Sequence, residues 1–248
     1  MRELFAMLLL LCASLAAPAN ARETIIYYEV IEEWVEPASG SERFAWGAEQ
    51  TVEAGASYGP FRVLDDRRAA LTGITDSSSP AAFAAMLRDH PQITTLEMLD
   101  CPGTYDDLAN LELGRMIRRA GLATHVPASG SVRSGAVELF LAGTVRRIDD
   151  GAEFAVHAWE DDEGMEATDF SLDAPENRKY LAYYREMGMA PARAAAFYAM
   201  TNSVPFEQAL WLDAAEMRRW LPETAKPGSE AQLAGLDLRQ LDLTGPLH

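Results

Sequence analysis

From Phe61 onward, apolar segments of strand length alternate with segments of helical spacing, and that alternation leaves few folds open. Apolar residues cluster over 69–74, Ser79-Pro80 opens AAFAAMLRD, and 93–99 reads as the next strand. Ser as N-cap with Pro at the first helical position marks a helix start, because Pro lacks an N–H where the helix has no partner for one. Thr104-Tyr105-Asp106-Asp107 has the S/T-x-x-D/E form of a capping box. Leu108, Leu111, Met116, Ile117 and Ala120 then repeat at near-helical spacing until Gly121, and 122–126 follows as a strand. Strands and helices alternating through short turns imply parallel pairing by right-handed crossovers, hence an α/β fold. Residues 176–187 and 190–200 read as later helices.

Within this frame the stretch Ser131 to Trp159, SVRSGAVELFLAGTVRRIDDGAEFAVHAW, carries the residues on which chemistry could rest. Ser134 stands in a small-residue turn ahead of the apolar run Val137, Leu139, Phe140, Leu141, which suits a buried helix. A nucleophilic Ser needs a neutral imidazole to take its proton and backbone N–H groups aimed at the developing oxyanion. A helix starting just after Ser134 would point unpaired N–H groups toward it. Taken alone, S-G-A is equally an ordinary turn before a core helix. Of the four His residues, His90 precedes Pro91 in a loop, His125 lies in a strand before the Ser turn, and His248 ends the sequence. His157 lies in a strand after the Ser turn, where a lone His is also compatible with a satisfied core residue.

The segment S-G-A-V-E-L-F-L-A-G resembles the nucleophile turn and following helix of the Clp protease proteolytic subunit, with Ser134 as nucleophile and Gly143 closing the helix. G-A-E-F-A-V-H falls where that family carries its catalytic His, so the resemblance makes His157 the base. Upstream, LDCPGTYDDLANLELGRMIRRAGLATHV is similar to the family's strand, Ser-Pro-Gly-Gly turn, helix and strand. The likeness is greatest to periplasmic or secreted Clp-like proteins in the Clp/crotonase superfamily. It runs over 71–159 and more loosely through 206–220. It implies an α/β Clp/crotonase-like β-β-α superhelix with an N-terminal extension and C-terminal helices.

The resemblance also implies an oxyanion hole built from the N–H groups of Gly103, Thr104 and Gly135. Thr104 departs from the family's Gly, and Arg133, directly before the Ser, is a second departure that would narrow the cleft or bind a carboxylate. Cys101 takes a slot where the family often has Ser and suits a small buried hydrophobe. Lys179 and Lys226, the two lysines of the sequence, stand away from the position of a Ser-Lys base. The third triad member is open: two counts of the family spacing disagree, Asn202 and Ser203 are the polar residues in the gap between them, Asp173 outside it is another candidate, and a Ser-His dyad is the remaining option.

The ends of the chain carry their own signals. MRELFAMLLLLCASLAAPANA has a charged start, an apolar core and Ala19 and Ala21 in A-x-A spacing, which reads as a signal peptide over 1–21 cleaved before Arg22. Pro18 and Asn20 interrupt the apolar run before it reaches the roughly 20 residues a membrane span needs. The expected division is then a signal peptide, an N-terminal extension at 22–60, a Clp/crotonase-like domain at 61–225 and a C-terminal tail at 226–248. An exported, periplasmic or secreted protein left with Cys101 as its one thiol has no internal disulfide. The net charge of −17 argues against nucleic acid and anionic membrane surfaces, which call for Lys/Arg patches. The acidic run at 160–164 reads as a solvated loop flanking the cleft. No phosphate loop, HExxH or clustered Cys/His motif calls for a metal or other cofactor.

The functional expectation is an exported, ATP-independent serine peptidase with a peptide or protein substrate, its oligomeric state open between monomer and homo-oligomer. The alternatives are a catalytically inactive binding or assembly protein of the same fold, and acyl-thioester chemistry of the crotonase kind.

Overall fold

The computed structural model describes residues 55–221. The segments read as signal peptide and C-terminal tail, with most of the N-terminal extension, lie outside the described residues. Two sheets organise what is described. The first joins β1 (Ser57–Tyr58), β2 (Phe61–Val63), β3 (Arg68–Leu71), β4 (Thr95–Met98), β6 (Ala123–Val126) and β8 (Arg146–Ile148) in that order. Its first three strands meander antiparallel and the rest are parallel. The second runs β10 (Leu210–Asp213), β9 (Glu153–Val156), β7 (Ser131–Arg133) and β5 (Asp100–Cys101), parallel except at the β10 edge.

Successive strands feed the two sheets in turn. β4 enters the first sheet and β5 the second, and α2 (Asp107–Arg119) returns the chain. β6 and β7 repeat the step and α3 (Ala136–Leu141) returns it, and β8 and β9 complete a third pair. This is a β-β-α superhelix, and the parallel pairing within each sheet is what helical returns on one side impose. Helices α4 (Pro175–Glu186) and α5 (Pro191–Thr201) follow, and α6 (Ala214–Trp220) closes the described chain after β10.

The core lies between the layers. Leu96 and Met98 of β4, Leu113 and Ile117 of α2, and Phe140 of α3 and Phe154 of β9 are fully buried, the last two with ring centroids 5.2 Å apart. Each such side chain contributes about 2 kcal/mol by leaving water. Cys101 is among them, its thiol pushed up by burial and donating to the Leu71 carbonyl, so it is a core residue and no nucleophile.

Two helix starts differ from the expectation. α1 spans Ser79–Asp89 with Ser78 at the N-cap, and the Ser79 hydroxyl reaches back to accept from Asp76 N–H at 2.9 Å. In α2 the cap is Asp106, whose carboxylate accepts from Ala109 N–H, while the Thr104 hydroxyl accepts from Asp106 N–H. Thr104 stays outside the helix because Tyr105 N–H is bonded to the Thr75 carbonyl at 2.8 Å, holding the segment extended. The helix therefore turns a different face inward. Asn110, Leu111, Gly114 and Ile117 are buried, and Leu108 is 68% exposed.

Candidate functional site

Three neighbouring parallel strands of the second sheet end side by side, and the residues just past their C-terminal ends make the site. β5 leads to Gly103 and Thr104, β7 leads to Ser134 and Gly135, and β9 leads to His157. Register brings the last two together: Arg133 pairs with Ala155, so Ser134 and His157 emerge one and two residues beyond that pair. The carboxyl ends of parallel strands are where open α/β sheets hold ligands, because the returning helices leave a crevice there.

Ser134 has φ 51°, and among the described residues it is the one non-glycine with positive φ. Its N–H is bonded to the Ala155 carbonyl at 2.8 Å and its carbonyl accepts from Val137 N–H, so the strand-to-helix turn holds the residue left-handed. Such a backbone costs on the order of 1–3 kcal/mol and persists only where the surroundings dictate it. The strain projects a hydroxyl out of a sharp turn between strand and helix, the arrangement of a nucleophile elbow.

Gly103 and Gly135 owe their identity to this turn. Gly103 has φ 135°, and a Cβ on it would stand 2.9 Å from the Cβ of Ser134. A Cβ on Gly135 would stand 2.6 Å from Thr104 Cγ2. Thr104 itself has no positive φ, so its side chain fits where the family pattern has Gly. The N–H groups of Gly103, Thr104 and Gly135 donate to no backbone carbonyl among the described residues.

A polar stitch, not anticipated from the sequence, locks these turns together. Asn110 of α2 is buried and donates through Nδ2 to the Gly135 carbonyl. Its Oδ1 accepts from the Thr75 hydroxyl at 3.0 Å, and Thr75 N–H donates to the Gly103 carbonyl at 3.0 Å. Asn110 sits in a helix of otherwise ordinary pattern, and no local signal distinguishes it from a surface Asn.

Ser134 and His157 line one cavity of about 400 Å³, together with Thr104, Gly135 and Asn202. His157 Nδ1 lies 2.7 Å from the Ala158 carbonyl oxygen. A carbonyl only accepts, so Nδ1 carries the proton and the neutral ring has its lone pair at Nε2. Phe206 packs edge-on against the ring at 5.2 Å.

The candidates for a third member separate. Asn202 lines the cavity, its Nδ2 donating to the Tyr198 carbonyl at 2.7 Å and its Oδ1 buried with no hydrogen-bond partner. Ser203 is exposed and donates to the Met200 carbonyl, and Asp173 is exposed in the loop before α4; neither lines the cavity. A backbone carbonyl, that of Ala158, is hydrogen-bonded to the imidazole.

Arg133 corrects an expectation. It does not line the cavity; it is 4% exposed and its guanidinium donates to Asp100 and Ser131 at 2.8 and 2.6 Å. Successive strand residues face opposite ways, so an Arg inside β7 turns away from the Ser that follows it.

The remaining wall is aromatic and acidic. Trp159 and Tyr180 stack with centroids 6.2 Å apart, and Trp159 donates to the Tyr198 hydroxyl at 2.7 Å. Tyr180 donates to Asp107, and Tyr184 donates to Glu138 at 2.6 Å. Glu138 is 8% exposed, and burial pushes its carboxyl up to about 7. The loop carrying Glu160 and Asp162 flanks the mouth, as the acidic run suggested. Among the described residues no group of His, Cys, Asp and Glu is placed to hold a metal ion, and no helix is long and apolar enough to cross a membrane.

No protein-family model matches the sequence, and no curated protein does. Among solved structures the chain is similar to the 1510-N membrane-bound stomatin-specific protease, at 14% identity and TM-score 0.42 over 61% of this chain and 73% of that one. A second form of that protease, in complex with a substrate peptide, is similar at 11% identity and TM-score 0.38, over 60% and 71% of the two chains. ClpP1 from Listeria monocytogenes is similar at 15% identity and TM-score 0.43, over 63% of this chain and 88% of its own.

Proposed function

We propose that the protein is a serine hydrolase, and specifically an ATP-independent peptidase, with Ser134 as nucleophile and His157 as base. The observation that carries this reading is the left-handed Ser134 in a strand-to-helix turn, lining one cavity with an imidazole whose Nδ1 is committed to a carbonyl. In the reaction the Ser134 oxygen bonds to the substrate carbonyl carbon while its proton passes to His157 Nε2. The carbonyl π pair moves onto oxygen, where the N–H groups of Gly103, Thr104 and Gly135 receive it. Collapse breaks the C–N bond, and the imidazolium gives its proton to the departing amine. Water then repeats the steps on the acyl-enzyme: its proton goes to His157, its oxygen bonds to the acyl carbon, the ester bond breaks and Ser134 regains its proton.

The Ala158 carbonyl acts as the orienting group. It fixes the tautomer without supplying a full negative charge, so it supports a Ser-His dyad rather than a triad.

A fluorophosphonate probe tests the reading. It should label folded protein at Ser134, and His157→Ala should abolish labelling while circular dichroism is unchanged. Absence of label on the folded wild type overturns the reading. In that event a binding or assembly protein that keeps the cleft takes its place.

Export belongs to the same proposal and rests on the 1–21 segment. Mass spectrometry of the mature protein should find Arg22 first; an intact Met1 end in the purified protein refutes it.

A further inference from the structure

Glu138 stands out in α3 because every other residue of that six-residue helix is apolar. A buried carboxylate is costly unless it is paired, and among the described residues no cation is paired with this one. Its Oε1 accepts from the Tyr184 hydroxyl, and the carboxylate also accepts from its own backbone N–H. Asp107, the nearest other charge acting on it, is itself acidic and raises its carboxyl further. Both carboxylates line the cavity that holds Ser134.

The rest of that cavity carries the same sign. Five carboxylates line it and no Lys or Arg does. Its volume falls in the usual range for a ligand pocket. Trp159 and Tyr180 make an aromatic wall, and those rings already carry an ammonium: Lys179 Nζ, of a residue that does not line the cavity, lies 5.4 and 5.1 Å from their centroids. Aromatic faces beside unneutralised carboxylates attract organic cations more than neutral or anionic groups.

We propose that the cavity beside Ser134 is a recognition subsite for a lysine or arginine side chain, carried by the residue that supplies the scissile carbonyl, with Glu138 as its selecting anion. The proposal rests on the hydrolase reading of Ser134 and His157 and names its substrate class. The stem of the basic side chain lies along Trp159 and Tyr180, and its head pairs with the Glu138 carboxylate, with Asp107 adding charge of the same sign. A neutral side chain of equal length, such as methionine, leaves both carboxylates desolvated and unpaired, which is why it is rejected.

Peptide amides differing only in the residue before the cleaved bond provide the test. Lys and Arg peptides should be cleaved with at least tenfold higher kcat/KM than the Met peptide, and the Glu peptide should be slowest. Glu138→Gln should reduce the Lys-to-Met ratio at least tenfold, mainly through KM. A wild type that cleaves the Met or Leu peptide as well as the Lys peptide overturns the proposal, as does a variant with an unaltered ratio. Should Glu138→Gln fail to fold, protection of Ser134 from fluorophosphonate by n-butylguanidinium, but not by n-butanol, replaces it, and equal protection by both refutes the subsite.

The two readings fail separately. Labelling at Ser134 without basic preference removes the subsite and leaves the hydrolase. Absence of labelling removes the hydrolase, and calorimetric titration of the wild type with n-butylguanidinium then decides the subsite by itself: binding that Glu138→Gln weakens keeps it, and no binding ends it.

Discussion

Arg133 and Glu138 flank the nucleophile in sequence, one residue before and four after, and both are buried, at 4% and 8% exposure. Their settings are opposite. Arg133 is paired with the Asp100 carboxylate and faces away from the cavity, so its charge is neutralised within the fold. Glu138 lines the cavity with one Tyr hydroxyl and no counter-ion. A buried charge with its partner supplied by the chain has a structural explanation, whereas one without a partner leaves a vacancy that a ligand can fill. Proximity to Ser134 in sequence says nothing about which is which; the direction in which each side chain leaves its element does.

The largest effect that can test this contrast is at the residue between them. Ser134→Ala should lower peptide cleavage by a factor on the order of a thousand or more, with the melting temperature unchanged or raised through relief of other contacts in the turn. A loss of tenfold or less means another group attacks the substrate. The measurement is kcat/KM on any peptide that the wild type cleaves.

Next comes the pH dependence of stability. Burial raises the Glu138 carboxyl to about 7 in the folded protein, from an ordinary value near 4.5 in the unfolded chain. Between those values the folded state keeps a proton that the unfolded state has lost, so unfolding free energy falls as pH rises through that window. The loss amounts to at most about 3.5 kcal/mol, at roughly 1.4 kcal/mol per unit. Urea unfolding at pH 5 and pH 7.5 should show a decline in wild type that Glu138→Gln reduces. Equal slopes for both proteins mean Glu138 titrates normally and is not the strained anion described above.

Removing the paired charge should act differently. Arg133→Met keeps the bulk and abolishes the ion pair, leaving Asp100, whose side chain is 31% exposed and so partly rescued by water. A destabilisation of about 2 kcal/mol is expected, less than for a fully buried pair, with the Lys-to-Met preference of the enzyme unchanged. A changed preference places Arg133 in recognition after all. The smallest effect belongs to Tyr184→Phe, which removes the hydrogen bond to Glu138 and should cost about 1 kcal/mol. A Tyr184→Phe variant as stable as wild type shows that water replaces the hydroxyl.

The parallel α/β frame was legible because period and punctuation are local. The strand ahead of α2 and the helices later seen as Pro175–Glu186 and Pro191–Thr201 follow from apolar spacing and from Pro at their starts. Helix caps were less legible. Thr104 has the right spacing for a capping box, but its hydroxyl is engaged by Asp106 and Thr75 and the neighbouring Tyr105 N–H by Thr75, which lies outside any local pattern. Leu108 fits the helical repeat and yet is exposed, because the cap at Asp106 rotates the buried face. Ser203 was a polar candidate within the gap left by the family spacing, and Asp173 one outside it. Each is exposed and neither lines the cavity.

The sequence by itself determined the alternation of strands and helices, and pointed to the small-residue turn at Ser134 and to the His157 strand. Those rest on residue type and spacing, and the chain carries both in a line. Only the tertiary structure decided that β5, β7 and β9 end side by side, that Asn110 and Thr75 tie their turns together, and that Glu138 faces a cavity while Arg133 does not. Strand order and side-chain direction join residues far apart in the chain, and they are set by packing of layers that no local window contains.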